Sequence, residues 1–168
     1  MKRLVLSTVI VTALAVIMLY RPVSLVIYKL REPYFKYPIK TSSAVIRNDG
    51  WGSGEFGAKR KNGRVHTGID MAAPVGTTVY AAKSGVAFCG NVPTGYGKYV
   101  MIYHPDGSQT IYGHLASYVA RSTQKVRMGE RIGYVGKTGN ASRGAIQSHL
   151  HFEILKDGVP QNPRTLMR

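Results

Sequence analysis

The chain of 168 residues contains a single cysteine, Cys89, so no intramolecular disulfide can stabilise it. It also lacks the H-E-x-x-H sequence that places two zinc ligands on one helix, so a metal site here would have to be built on strands. After residue 40 no sustained period of 3.6 residues appears, apart from a short stretch around residues 115–121. These absences exclude a disulfide scaffold and argue against a mainly helical domain.

Acidic residues are scarce, which leaves the chain strongly basic. It has 23 lysines and arginines against 8 aspartates and glutamates, a net charge of +15. Residues 41–168 keep 16 of the basic and 7 of the acidic side chains. Such a charge favours polyanions: nucleic acid, anionic lipid or an anionic cell-wall polymer. Because the basic residues are scattered and no nucleic-acid-binding motif accompanies them, we expect no nucleic-acid partner.

The long uncharged run of the chain lies near its N-terminus, from Leu4 to Tyr20. As a helix it would span roughly 25 Å, enough for a thin bilayer. An uncleaved anchor and a signal peptide cut after Ala15 both fit this run, and the apolar residues that continue beyond Ala15 favour the anchor. We therefore predict a transmembrane helix within residues 1–28, a stalk over residues 29–50 and a folded domain over residues 51–168.

This arrangement predicts a cellular location as well. Basic residues at the very start of the chain place the N-terminus in the cytoplasm. The protein is then expected in the cell membrane as a single-pass protein, with its domain extracytoplasmic, in the periplasm or on the outer face.

Short apolar or alternating runs between turn residues predict a mainly β, antiparallel domain. Lys83-Ser84 and the Pro105–Gly107 turn are expected to join hairpins. The predicted strands cover residues 76–82, 85–88, 98–103, 109–112, 131–135 and 149–155.

Four of the five histidines fall in three short motifs. The motifs read His66-Thr-Gly-Ile-Asp70, Tyr-Gly-His114-Leu and His149-Leu-His151-Phe-Glu. In a strand alternate residues share a face, so His149 and His151 point one way, and so do His66 and Asp70. The glycine between His66 and Asp70 leaves space for one ion to approach both. Imidazoles and one carboxylate on strands are the donors that a hydrolytic zinc centre needs.

Three further residues have competing interpretations. His104, which precedes the Pro105 turn, is predicted as a turn or strand-end residue. Trp51 is predicted as a core aromatic near the domain edge, with a place in a substrate groove as the alternative. Glu153 shares a strand face with His149 and His151, so a hydrogen bond to a metal-bound imidazole and an ordinary solvated carboxylate are both consistent with its position.

With these motifs the chain resembles the lysostaphin-type, or LytM-like, zinc metalloendopeptidases over roughly residues 51–157. The resemblance includes the three histidine motifs and the glycine framework between them, in the family's order and approximate spacing. It implies an antiparallel sheet of the barrel-sandwich kind. The segment over residues 140–148 is longer than the family's shortest version, and its length is expected to reshape one wall of the groove.

The resemblance implies a role for each of five residues. His66, Asp70 and His151 would hold one zinc ion. His114 and His149 would be the two catalytic imidazoles, one as general base and the other as oxyanion stabiliser, and the sequence does not say which histidine has which task. The implied activity is hydrolysis of peptide stems or cross-links of bacterial peptidoglycan. The alternative is a noncatalytic LytM-like module that binds or activates another wall hydrolase. Peptidoglycan, the membrane through the N-terminal helix and an envelope protein are the expected partners.

Overall fold

The computed structural model describes residues 2–40, 45–60 and 63–168, and the chain divides into two compact units at Pro33 and Tyr34. The first unit contains one helix, α1 (Lys2–Arg31). No helix among the described residues combines the length and the apolar character that crossing a membrane requires. The predicted transmembrane helix is therefore not confirmed and stays a prediction.

The second unit is built from short strands and one short helix. A 3-10 turn covers Gly139–Ser142, just before the long segment that leads to the last histidine motif. The elements in chain order are β1 (Asn48–Asp49), β2 (Gly52–Ser53), β3 (Ile69–Ala72), β4 (Thr78–Tyr80), β5 (Gly85–Asn91), β6 (Lys98–Tyr103), β7 (Gln109–Tyr118), β8 (Lys125–Val126), β9 (Arg131–Val135), β10 (His149–Lys156), β11 (Val159–Gln161) and α2 (Pro163–Leu166).

Within the described residues, β3 to β11 form one sheet of nine strands, and every pairing is antiparallel. The prediction of a mainly β, antiparallel domain is confirmed. The Pro105–Gly107 turn joins the paired strands β6 and β7 as expected. Lys83-Ser84 does not close a hairpin, because β4 pairs with β9 while β5 pairs with β6 and β8.

The sheet has a core side that follows directly from alternation along β10. Leu150, Phe152 and Ile154 are fully buried there, and Met71 and Ile69 of β3 lie opposite the first two. Burying side chains of this size contributes about 1.5–3 kcal/mol each. The histidines at alternate positions of β10 are thereby directed to the other face of the sheet.

The second unit includes residues that the sequence assigns to the stalk. Phe35 is 4% exposed and Ile39 is 2% exposed, and both belong to the hydrophobic core. The amide of Lys36 donates to the carbonyl of Ala82, and the amide of Arg168 donates to the carbonyl of Phe35. The second unit therefore begins at Tyr34, earlier than the predicted domain start at residue 51.

Candidate metal centre

The register of three strands brings the central residues of the site together. On β10, His151 lies directly opposite Asp70 of β3 on one side and Gly113 of β7 on the other. Directly opposite residues of antiparallel strands project side chains on the same face, a few ångströms apart. Pairing of β3 with β10 in this register thus sets a carboxylate beside an imidazole, although Asp70 and His151 are 81 positions apart in the chain.

Three donor atoms converge here. His66 Nε2 lies 3.0 Å from Asp70 Oδ1 and 3.1 Å from His151 Nδ1, while Asp70 Oδ1 lies 2.8 Å from His151 Nδ1. All three side chains are buried, and their donor atoms fall within 4.8 Å of one another. Two imidazole nitrogens and one carboxylate oxygen are a donor set that zinc accepts, and three protein ligands leave a position for water. The residues present therefore fit a zinc ion.

His66 reaches this point by a route that differs from the sequence prediction. It lies in the extended segment before β3, and not on the strand that holds Asp70. Gly68 serves a different purpose from the expected one, because a side-chain carbon there would collide with the carbonyl of Phe152 and with Glu153. The glycine allows β10 to approach closely; it does not make room for an ion.

Hydrogen bonds fix which nitrogen of each ligand imidazole faces the centre. His66 Nδ1 lies 2.8 Å from the carbonyl oxygen of Glu55, and His151 Nε2 lies 2.8 Å from Glu153 Oε1. Because a carbonyl and a carboxylate can only accept, both nitrogens carry the proton, which directs His66 Nε2 and His151 Nδ1 toward the site. Burial lowers the pKa of His151, but hydrogen bonds with Asp70 and Glu153 outweigh it and raise the pKa to about 9.

Glu153 supports this arrangement from behind the ligands. Its side chain is 2% exposed, and its Oε1 accepts hydrogen bonds from Thr67, Tyr96 and His151. Burial would raise its pKa, but these hydrogen bonds lower it, His151 contributing most. Of the two interpretations from sequence, the structure supports the hydrogen-bonded carboxylate behind a ligand imidazole.

Two guanidinium groups hold the outer oxygen of Asp70. Arg47 Nη2 and Arg60 Nη2 each lie 3.0 Å from Asp70 Oδ2, so Oδ1 is the oxygen left for a metal. Burial would raise the pKa of Asp70, but hydrogen bonds to His151 and His66 lower it far below its ordinary value. Arg47 is itself buried and also pairs with Asp49 at 2.5 Å. Neither arginine was predicted from the sequence, because neither belongs to a histidine motif.

The other two imidazoles lie beside the donor cluster. The rings of His114 and His149 meet edge to face with centroids 4.9 Å apart, and His149 Nε2 lies 3.8 Å from Asp70 Oδ1. Each gives its Nδ1–H to a backbone carbonyl, Thr138 for His114 at 2.9 Å and Gln147 for His149 at 2.6 Å. Both therefore keep a lone pair on Nε2.

Burial sets the charge state of this pair. It lowers the pKa of His114 to about 3, with further contributions from the nearby His151 and His149. Burial also lowers the pKa of His149. His114 has φ of 62°, a left-handed conformation that costs a residue with a side chain about 1–3 kcal/mol and is concentrated at functional sites. Its amide donates to the carbonyl of Tyr96, which holds that conformation.

All five predicted site residues line one groove of about 560 Å³. Trp51 lines it too and is 48% exposed, so its prediction as a core aromatic is wrong and the groove alternative is correct. Arg143 and Ile146, from the long segment over residues 140–148, also line the groove, as expected for a segment that shapes a wall. His104 lies elsewhere, directly after β6, where it is buried and hydrogen-bonded.

Buried imidazoles and a carboxylate converge on this groove, and three of these side chains could hold a metal ion. A model of peptidase family M23 matches residues 64–163, and the chain belongs to that family. This confirms the resemblance inferred from the histidine motifs.

Individual relatives agree with the family but span more than this chain. The DD-carboxypeptidase/endopeptidase Mpg of Neisseria meningitidis is 45% identical over 100 residues, which cover 60% of this chain and 22% of that protein. The murein hydrolase activator NlpD of Salmonella dublin is 35% identical over 124 residues, covering 73% of this chain and 29% of that protein. A zinc-containing peptidase from Vibrio cholerae has a TM-score of 0.65 at 31% identity, covering 77% of this chain and 39% of that one.

Proposed function

We propose that this protein is a zinc-dependent endopeptidase that hydrolyses peptide stems or cross-links of bacterial peptidoglycan. One observation carries the proposal: the buried donor atoms of His66, Asp70 and His151 converge beside two further imidazoles that both present Nε2. An activating module would need neither the ligands nor the imidazoles, and all five residues are present.

The chemistry follows from the donor set and the imidazole pair. A zinc ion held by His66, Asp70 and His151 would act as a Lewis acid and lower the pKa of water to about 7. Because burial keeps His114 and His149 neutral, either Nε2 can accept the proton of the attacking water and return it to the leaving amine. While it carries that proton, the imidazole is an imidazolium and would donate a hydrogen bond from Nε2 to the oxyanion.

The alternative function is a noncatalytic module that activates another wall hydrolase. One relative that is named a murein hydrolase activator is 35% identical to this chain over 124 residues, and this similarity is the reason to consider the alternative. The complete set of five residues argues against it here, as does the solved zinc-containing peptidase with the same fold.

We also propose that the N-terminal segment anchors the protein in the cell membrane, with the domain extracytoplasmic. Its support is the uncharged run from Leu4 to Tyr20 and the exposure of apolar side chains such as Val11, Val16 and Met18 on α1. The test is fractionation of cells that make the full chain. Recovery in the membrane pellet after an alkaline wash is expected, and release into the wash would contradict the anchor.

The test of the enzyme uses the full chain loaded with zinc and incubated with purified peptidoglycan, with products identified by mass spectrometry. New peptide ends are expected, and their structure would identify the bond that is cut. The matched control is His149→Ala, which should retain zinc and lose hydrolysis because the removed imidazole is not a ligand. Intact peptidoglycan with zinc bound to the wild type would instead support the activating module.

A further inference from the structure

Three basic side chains line the groove, and none of them has an acidic partner among the residues that the structure describes. Lys59, Arg64 and Arg143 are exposed, and none of them forms an ion pair within the described part of the chain. We propose that these three residues select peptide substrates that carry free carboxylates close to the scissile bond. The proposal rests on the proposed peptidase function and assigns its substrate class.

The first two residues are held next to the metal centre by backbone pairing. The amide of Arg60 donates to the carbonyl of Arg64 at 2.8 Å, and Lys59 pairs with Val65 in an isolated antiparallel bridge. His66 closes the pairing, because its amide donates to the carbonyl of Ala58 at 2.9 Å. The same paired segments that present Lys59 and Arg64 therefore end at a candidate zinc ligand.

Arg143 comes from the long segment that leads to His149. It follows the 3-10 turn, and its amide lies 3.4 Å from the carbonyl of Asn140. A side-chain carbon at the neighbouring Gly144 would fall 2.6 Å from the ring of Trp51, so this part of the segment rests against the indole. Arg143 thus belongs to a wall that is in contact with Trp51, and it lines the same groove as Lys59 and Arg64.

The basic side chains that line the groove outnumber the acidic ones. Asp70 and Glu153 are the acidic side chains among its described lining residues. Asp70 is already paired with Arg47 and Arg60, and Glu153 accepts hydrogen bonds from residues around it. A bound zinc ion would add two more positive charges. Low-dielectric walls concentrate such a field, which raises the local concentration of anionic ligands.

The side-chain types favour carboxylates over neutral peptide. A guanidinium group forms paired hydrogen bonds with a carboxylate, and these charge-assisted bonds are about twice as strong as neutral ones. A glycine-rich cross-bridge has no group that could use them. A stem peptide can carry several free side-chain or terminal carboxylates. These would lie within reach of the basic residues that different segments of the chain contribute to the groove.

The test compares two cross-linked stem peptides of one sequence, with carboxyl groups free in one and amidated in the other. The zinc-loaded full chain should cleave the free form with a kcat/KM about tenfold higher, as expected for loss of a charge-assisted contact. The variant Lys59→Gln/Arg64→Gln/Arg143→Gln should lose this preference with its zinc content unchanged. Arg143→Gln alone should lose part of it.

The matched control removes the same charge from surfaces outside the groove. Lys125→Gln/Arg127→Gln/Lys156→Gln changes three exposed residues that do not line it, and it should keep the full preference. Loss of the preference in this control would mean that net charge, and not the position of three side chains, attracts the substrate. That result would overturn the proposal.

Binding separates this proposal from the proposed function. If neither peptide is cut, the affinity of the protein for the same two peptides can be measured by fluorescence anisotropy. About tenfold tighter binding of the peptide with free carboxyl groups, lost in the groove variant, would support carboxylate selection by a noncatalytic groove. Equal kcat/KM and equal affinity for the two peptides would overturn it even if both are cut. Loss of affinity for a DNA 20-mer in the groove variant, with equal peptide binding, would assign the charges to nucleic acid instead.

Discussion

Two clusters of buried polar side chains lie along strand β7, and their hydrogen-bonding groups are satisfied in opposite ways. At one end of β7, Thr110 and Tyr112 belong to what we call the His104 cluster, and four residues beyond Thr110 the strand supplies His114 to the candidate metal centre. The other members of the His104 cluster are Lys83, His104 and Asp106.

The hydrogen bonds of the His104 cluster are made within the protein. A chain of hydrogen bonds runs from the carbonyl of Ser84 through His104 and the hydroxyls of Thr110 and Tyr112 to the amide of Ala82, each 2.8–3.0 Å long. Every donor in this chain meets an acceptor, which is the ordinary way for buried polar groups to be stabilised. Nothing in this arrangement calls for a ligand.

The candidate metal centre is instead a convergence of hydrogen-bond acceptors. Two imidazole nitrogens and one carboxylate oxygen lie about 3 Å apart, and only a proton or a cation between them makes that approach favourable. The high pKa of His151 reflects the same excess of acceptors. Histidine burial therefore does not distinguish a ligand from a structural residue, whereas the direction of the hydrogen bonds does.

The largest expected difference between the clusters comes from removing Asp70. Asp70→Ala should abolish zinc binding and lower hydrolysis at least about 1,000-fold, since a ligand and the partner of two arginines are both lost. Zinc per chain, measured by mass spectrometry of the metal, and product formation are the two measurements. A variant that still binds stoichiometric zinc and cuts substrate would contradict the ligand assignment.

Asp106→Asn is the corresponding change in the His104 cluster. Lys83 is 4% exposed and its Nζ lies 2.7 Å from Asp106 Oδ2, so the variant leaves a buried ammonium without its carboxylate. We expect the free energy of unfolding to fall by about 3 kcal/mol, with zinc content and kcat unchanged. Chemical denaturation measures the first quantity. A loss of zinc in a folded Asp106→Asn protein would show that the two clusters are coupled through β7.

The sequence predicts which residues gather at the candidate metal centre better than it predicts the surroundings of that centre. The histidine motifs contain all five candidate residues, because donor type is a local property, whereas strand alternation holds for His149 and His151 on β10 but not for His66, which lies before β3. The pairing of Asp70 with His151 depends on the register of β3 against β10, which no local pattern contains. Arg47 and Arg60 and the closure of the His104 cluster depend on contacts between distant segments, and Phe35 joins the core only through such contacts.

The variant Glu153→Gln tests a residue that contacts the candidate ligand His151 and not the metal itself. Without its charge, the hydrogen bond that orients His151 weakens, and the zinc dissociation constant should rise about 10- to 100-fold. Competition with a fluorescent chelator measures it. Asp157→Asn is the control, because it removes the same charge from an exposed position on the same chain segment and asparagine tolerates its φ of 51°. An equal change in both variants would refute a specific role for Glu153.

The smallest expected effect is an acid dependence confined to the His104 cluster. Burial would raise the pKa of Asp106, but hydrogen bonds from Lys83 and Ser108 lower it from 3.8 to about 2. A lowered pKa means stability that is present above pH 4 and lost as the pH falls toward 2. The difference in unfolding free energy between wild type and Asp106→Asn, both zinc-free, should therefore shrink over that interval by about 1 kcal/mol, since solvent screens a half-buried carboxylate. Asp70, whose pKa is also lowered, makes the stability of both proteins fall over this interval, but it is the same in both and cancels in the difference. A difference that stays constant from pH 5 to pH 2 would show that the ion pair of Lys83 and Asp106 contributes nothing to stability.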